Sequence, residues 1–243
     1  MARRFIVKNE DINVLENNNI NIRGPEVKHI QVLRHNVEDS IIVNENIYKI
    51  VSIGKDNIDL EYIKKAPQIG IPTSNITLYI GFLKSEKMDF LVQKSVEIGV
   101  KKIVPFFSKN VVVKLDEKAR DKRREKLQKI ADEACKQCGR MDTVKVEEFL
   151  DFKKLKSALN EEKVFFAYEA SKDSLRNEII NLKERKLNRI GIVIGAEGGF
   201  DAKEAEELNK LENVCCVSLG DRILRAETAA LNLLSILIYE MEE

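Results

Sequence analysis

The sequence predicts an α/β protein in which a small, mostly β module precedes a larger domain built on a parallel sheet. Three observations predict it. Residues 1–72 carry short apolar runs broken by asparagine-rich turns, whereas residues 73–243 alternate β-rich runs with helical segments. Between them KKAPQIGIPTSN, with two prolines, a glycine and little periodicity, reads as a linker and sets the boundary near residue 72. With 243 residues, 44% of them hydrophobic, the chain can bury a sizeable core in one or two domains.

In the first module RRFIV, IIVNENIYKIVSI and IDLEYI read as strands, and EVKHIQVLR as a helical interlude between the first and the rest. ENNNIN, NEN and KDN supply the turns. In the second domain ITLYIGF, IVPFF, VFFAY, IGIVI and VCCVSL are short and apolar throughout, the pattern of strands buried on both faces of a parallel sheet. The clearest helix covers residues 117–137, with Leu127, Ile130, Ala131, Ala134 and Cys138 on one stripe and lysines and arginines opposite. A last helix, from Ala226 to Tyr239, is apolar on nearly every face and calls for burial on more than one side.

Several function classes are excluded or weakened. No apolar run approaches the roughly 20 residues a membrane span requires, and MARRFIVKNE lacks the apolar stretch of a secretory signal, so a cytoplasmic location is expected. Cys135 and Cys138 form a CxxC, but the two histidines, His29 and His35, lie about a hundred residues upstream, so no metal site is expected. Charge is segregated: residues 73–145 hold 17 Lys+Arg against 10 Asp+Glu, and residues 146–243 hold 14 against 20. Such a basic middle suits a polyanion, or a merely solvated helix face.

The functional signal lies in two turns. VIGAEGGFD, residues 193–201, ends a strand on three glycines with Asp201 placed to cap the next helix, and SLGDRILRAETAAL, residues 218–231, ends another. In an open parallel sheet, ligands bind beyond the carboxyl ends of the strands. The spacing is neither GxGxxG nor GxxxxGK[ST], so a dinucleotide fingerprint and a P-loop are both unsupported. A cleft of backbone donors and acceptors suits an adenine and a ribose better than a triphosphate.

IGAEGGF followed by SLGDRILRAETA resembles the paired signature of the RsmE family, the 16S ribosomal RNA uridine-N3 methyltransferases of the SPOUT superfamily. RRFIV, HIQVLR, KMDFLVQKSVEIGVKKIVPFFSKN and KIADEACKQCGR resemble the family in the same order, so the likeness spans nearly the whole chain. It implies an N-terminal PUA-like β-barrel domain for RNA binding over residues 1–72 and a SPOUT methyltransferase domain over 73–243, tied in a deep trefoil knot and working as a homodimer. Periodicity alone implies an unknotted sheet. The implied cofactor is S-adenosyl-L-methionine, held by Gly195, Glu197, Gly198 and Gly199 in the first loop and by Ser218, Leu219, Gly220, Ile223 and Leu224 in the second. Two departures stand out: Ala196 replaces the usual proline, which predicts a modest change in cofactor affinity, and RREKLQKI lacks the family's tryptophan.

The implied substrate is 16S ribosomal RNA within the small subunit. N3 of uracil carries a proton, so a positive charge beside the base favours the anion that is methylated. Arg225 is the first candidate for that role or for gripping the target phosphate, against the alternative of a salt bridge to Glu227. Arg140 and Gln137, three residues apart near a helix end and so expected on one side, and Lys94, paired with Glu97, are second-rank RNA contacts, with a structural role as the alternative for each; His29 and Arg34 in the N-terminal module follow. A non-catalytic RNA-binding or ribosome assembly factor of the same fold is the alternative function.

Overall fold

The computed structural model describes residues 3–67, 70–111, 115–171 and 173–242. Gln68 and Ile69, inside the expected linker, lie outside the described residues. The chain divides into two units, one of Met1–Ile71 with Cys135–Asp142, the other of Pro72–Ala134 with Thr143–Glu243.

The first unit contains β1 (Arg4–Phe5), β2 (Ile12–Val14), β3 (Ile20–Arg23), α1 (Pro25–Val32), β4 (Ser40–Val43), β5 (Asn46–Ile53) and β6 (Asn57–Lys65). They form one six-stranded sheet in the order β1-β4-β5-β6-β3-β2, antiparallel except for the β1/β4 pair. Turn chemistry sets the breaks: Asn17, Asn18 and Asn44 all take positive φ, which asparagine tolerates better than most side chains. Alternate residues Ile20 and Ile22, Tyr48 and Ile50, and Ile58 and Leu60 join Val27 and Ile30 of α1 in one buried cluster. Sequence patterning misses β2 and β3. Ile12, Asn13 and Val14 are half-buried or exposed and leave no alternation to read, and the ENNNIN turn gives way to strand at Ile20.

A buried arginine ties the returning segment into this unit. The guanidinium of Arg4 donates to the backbone carbonyls of Arg140, Met141 and Asp142. Carbonyls beyond a helix end are thereby satisfied from outside the helix.

The second unit carries β7 (Asn75–Gly81), α2 (Ser85–Ile98), β8 (Lys102–Phe107), α3 (Glu117–Cys138), β9 (Lys145–Val146), β10 (Leu150–Asp151), α4 (Phe152–Ala158), β11 (Lys163–Ala167), α5 (Leu175–Glu184), β12 (Arg189–Ile194), α6 (Ala202–Asn209), β13 (Val214–Val217) and α7 (Ala226–Glu242). Its sheet runs β10-β8-β7-β12-β11-β13, with β9 beside β8, and every pairing is parallel. The five expected apolar strands are all present. Tyr79, Val104, Phe106, Val164, Phe166 and Val193 pack in one cluster with Leu155 and Leu159 at α4 and Ala205 and Leu208 of α6. Leu78, Ile80, Phe165 and Ile192, which alternate with them, are equally buried on the other face.

Two helix expectations need correction. Cys138 ends α3 exposed, and Cys135 takes the buried place with Leu127, Ala131 and Ala134, while Ile130 is half-buried. Helix α7 buries Ala230, Leu233, Leu234 and Leu237 and lies against α2, α5, β7 and β12 of its own chain. Thr228, Asn232, Ser235 and Tyr239 form its exposed stripe, so one polar face does exist.

Candidate active site

The carboxyl ends of three adjacent strands, β12, β11 and β13, open onto one cavity of about 850 Å³. Its volume falls within the range of roughly 300–1,000 Å³ usual for small-molecule sites. Gly195, Glu197, Gly198 and Gly199 line it from the loop after β12. Ser218, Leu219, Gly220, Ile223, Leu224 and Arg225 line it from the loop after β13. All ten residues singled out at these turns therefore meet in one place.

The first loop is built to stay where it is. The Gly199 N–H donates to the Ala196 carbonyl at 2.9 Å, closing a tight turn that leaves Gly199 at φ +62°. Phe200 anchors the turn in the core, edge-on to Phe166 with ring centroids 5.0 Å apart. A Cβ on Gly198 would stand 2.8 Å from the Asn110 carbonyl oxygen, so only glycine fits. Asp201 caps α6 as expected: its side chain accepts from the Lys203 N–H, and the Glu204 carboxylate accepts from the Asp201 N–H, a capping box.

Tyr168, Glu169 and Ser171, after β11, complete the wall together with Lys87 of α2 and with Asp221 and Arg222 in the second loop. Sequence reasoning missed them, although VFFAY was legible as a strand and the rule that ligands sit beyond strand ends applies to it equally. Lys87 has no such signal.

Charge within the cavity is partly paired. The Lys87 ammonium lies 3.4 Å from Glu197 and 3.7 Å from Glu227. Burial raises the Glu197 pKa, but its own backbone N–H, that of Lys84 and the Lys87 ammonium outweigh this and hold the carboxyl below its ordinary value. Arg225 is exposed and makes no ion pair among the described residues; the alternative partner, Glu227, faces Lys87 instead.

The RNA-contact candidates lie outside this cavity. Lys94 is held by Glu97 at 2.8 Å on α2. Arg140 is only 3% exposed and makes two hydrogen bonds to Asp142, at 2.9 and 2.8 Å, so it is built into the first unit and presents no surface to an RNA. Gln137 is exposed, and since α3 ends at Cys138 the two do not share a helix face. His29 is exposed, hydrogen-bonded to Glu26 at 3.0 Å and edge-on to Phe5. Arg34 is exposed just past α1 at φ +58°.

Residues 71–238 match the family model described as RNA methyltransferase domain. The ribosomal RNA small subunit methyltransferase E of Bacillus subtilis (strain 168) is 32% identical over 99% of this chain and 97% of its own length. The chain belongs to the ribosomal RNA small subunit methyltransferase E family. Its relative in Mesomycoplasma hyopneumoniae (strain 232), of the same name, is 33% identical over 96% of this chain and 97% of its own. Among solved structures, the ribosomal RNA small subunit methyltransferase E from Neisseria gonorrhoeae bound to S-adenosyl methionine superposes with a TM-score of 0.82 at 24% identity, covering 98% and 97% of the two chains.

Proposed function

We propose that this chain is an S-adenosyl-L-methionine-dependent methyltransferase acting on N3 of one uridine in 16S ribosomal RNA of the small subunit. One observation carries the reading: both glycine-rich loops and Arg225, which makes no ion pair among the described residues, line a single cavity at the ends of three parallel strands. The residues fit the cofactor. Gly198 is held so close to Asn110 that no side chain can intrude there, leaving backbone to face a ligand.

When bound, S-adenosyl-L-methionine supplies an electrophilic methyl group on a sulfonium. The two loops hold and orient it, which turns a bimolecular encounter into a positioned one. The target base is presented unpaired, because N3 lies on the pairing edge. The Arg225 guanidinium stabilises the negative charge that develops on the uracil as N3 gives up its proton to water and takes the methyl group, and Arg222 near it in the same loop attracts the RNA backbone.

Residues 1–72 are a PUA-like RNA-binding barrel in this reading, with exposed His29 and Arg34 supporting an RNA contact, as does exposed Gln137 on the segment that returns to the first unit. Residues 73–243 are the SPOUT domain. Late insertion of β12 between β7 and β11, with β13 added outside β11, supports a deep trefoil knot. Exposed Phe90, Ile180 and Tyr239, on α2, α5 and α7, support a homodimer, whose mass would be twice 27.8 kDa. A ribosomal RNA substrate supports a cytoplasmic location.

The test has two arms. Calorimetry with S-adenosyl-L-methionine gives saturable binding if the cavity is the cofactor site, and no binding at millimolar concentration leaves a non-catalytic RNA-binding factor. Mass spectrometry of 16S RNA from a strain lacking the protein shows loss of a single N3-methyluridine; unchanged RNA refutes the assignment.

A further inference from the structure

Lys87 is remote in sequence from both cofactor loops, yet its ammonium meets a carboxylate associated with each. It belongs to the first turn of α2. Its Nζ lies 3.4 Å from Oε1 of Glu197, in the first loop, and 3.7 Å from Oε1 of Glu227, two residues beyond Arg225. Among the described residues it is the one cation paired with either carboxylate. The Lys84 N–H also donates to Glu197 at 3.3 Å, so α2 grips the first loop twice. Glu227 is 14% exposed, and its second oxygen is buried without a hydrogen-bond partner among the described residues.

Two carboxylates converging on one ammonium are stable only while that ammonium is present, because like charges with restricted access to water repel. Neither carboxylate is needed for the turn chemistry of its own segment: the first loop is closed by the Ala196–Gly199 backbone bond, and Glu227 lies inside the first turn of α7. A pair of acids set on a third element is therefore a link between segments.

We infer that Lys87 is a positioning residue that clasps the two cofactor loops, tying the first through Glu197 to the end of the second through Glu227 and so fixing the width of the cavity between them. The inference rests on the reading of this cavity as the S-adenosyl-L-methionine site and adds a residue to it. Neutralising Lys87 leaves Glu197 and Glu227 facing each other uncompensated, and the loops part. Neutralising Glu227 as well removes the repulsion, although it does not restore the bridge.

The experiment is calorimetric titration of the full-length protein with S-adenosyl-L-methionine, with melting temperature and steady-state kinetics measured on the same samples. Lys87→Met is expected to weaken binding about tenfold, a change of roughly 1.4 kcal/mol. At saturating cofactor its kcat stays within about threefold of wild type, since lost positioning appears in KM. Lys87→Arg keeps the charge and retains affinity. Lys87→Met combined with Glu227→Gln recovers part of the loss, a non-additivity expected only of residues that interact; this neutral double variant also carries the test if Lys87→Met alone does not fold. Wild-type affinity in Lys87→Met, or a double variant as weak as the two changes added together, overturns the clasp. Wild-type protein that binds no S-adenosyl-L-methionine overturns the cofactor reading itself, a result visible before any variant is made.

Discussion

Asn110 donates its side-chain amide to the backbone carbonyl of Gly198 at 3.0 Å, while its own carbonyl fills the space a Cβ on Gly198 would need. The segment after β8 is thus pressed onto the loop after β12. Its neighbour Lys109 adds an ion pair to Asp201 at 2.6 Å and a backbone donor to Glu204 at 2.9 Å. The loop that lines the cavity is fixed from behind by Lys109 and Asn110, which do not line it.

That arrangement makes Gly198→Ala more damaging than Asn110→Ala. The first forces backbone apart and is expected to abolish measurable cofactor binding. The second removes one hydrogen bond, a loss of about 1 kcal/mol or some fivefold in affinity. Calorimetry on both variants checks the order.

Arg225→Ala is expected to lower kcat by about a hundredfold, the usual effect of removing a group that stabilises developing charge. Cofactor affinity changes by no more than about threefold, because the loop backbone is intact. Single-turnover methylation of small-subunit RNA, run beside cofactor titration, separates the two effects.

Arg140 is predicted to matter for stability. Asp142→Ala strips a buried guanidinium of its bidentate carboxylate, and breaking a buried pair in this way costs about 3 kcal/mol. Denaturant unfolding measures it; RNA affinity of the folded variant is expected to match wild type.

Asp201 gives a pH signature. The Lys109 ammonium, then the Lys203 N–H, hold its carboxyl below the ordinary 3.8. A depressed acid contributes its full stabilisation above the unfolded value and loses it as pH falls through the lower native value. Melting temperature is therefore insensitive to this group between pH 5 and 8 and drops in strong acid. Asp201→Asn lowers the melting temperature at pH 7 and flattens that acid limb.

Thiol chemistry supplies a check on packing. Burial pushes the Cys215 thiol up to about 12, so it stays protonated and unreactive at pH 8. Native protein treated with a thiol-specific chromophore is expected to react first at exposed Cys138, with Cys135 and Cys215 reacting only after denaturation.

Much of this was legible in the sequence. The five expected strands of the second unit announced themselves because their residues are apolar without polar alternation, and β7 and β12 are buried along nearly their whole length. The glycine turn and the Asp201 cap were legible because their chemistry is local, contained in nine consecutive residues. Strand β2 was not, because one half-buried and two exposed residues in a row carry no period; β3 was not, because Ile20 and Asn21 close an asparagine-rich run that reads as turn; and neither was the burial of Arg140, which depends on Arg4 and Asp142 arriving from elsewhere in the fold.

The sequence by itself determined the five apolar strands of the second unit and the long helices α3 and α7, and that two of those strands end in glycine-bearing turns. Only the tertiary structure decided that β11 lies between β12 and β13, that Tyr168 and Glu169 therefore share the cavity, and that Lys87 reaches Glu197 and Glu227 from α2. Hydrophobic period and turn chemistry act within a few residues and leave their mark there. The order of strands in a parallel sheet is set by pairings between segments far apart in the chain, and such contacts have no local signature to read.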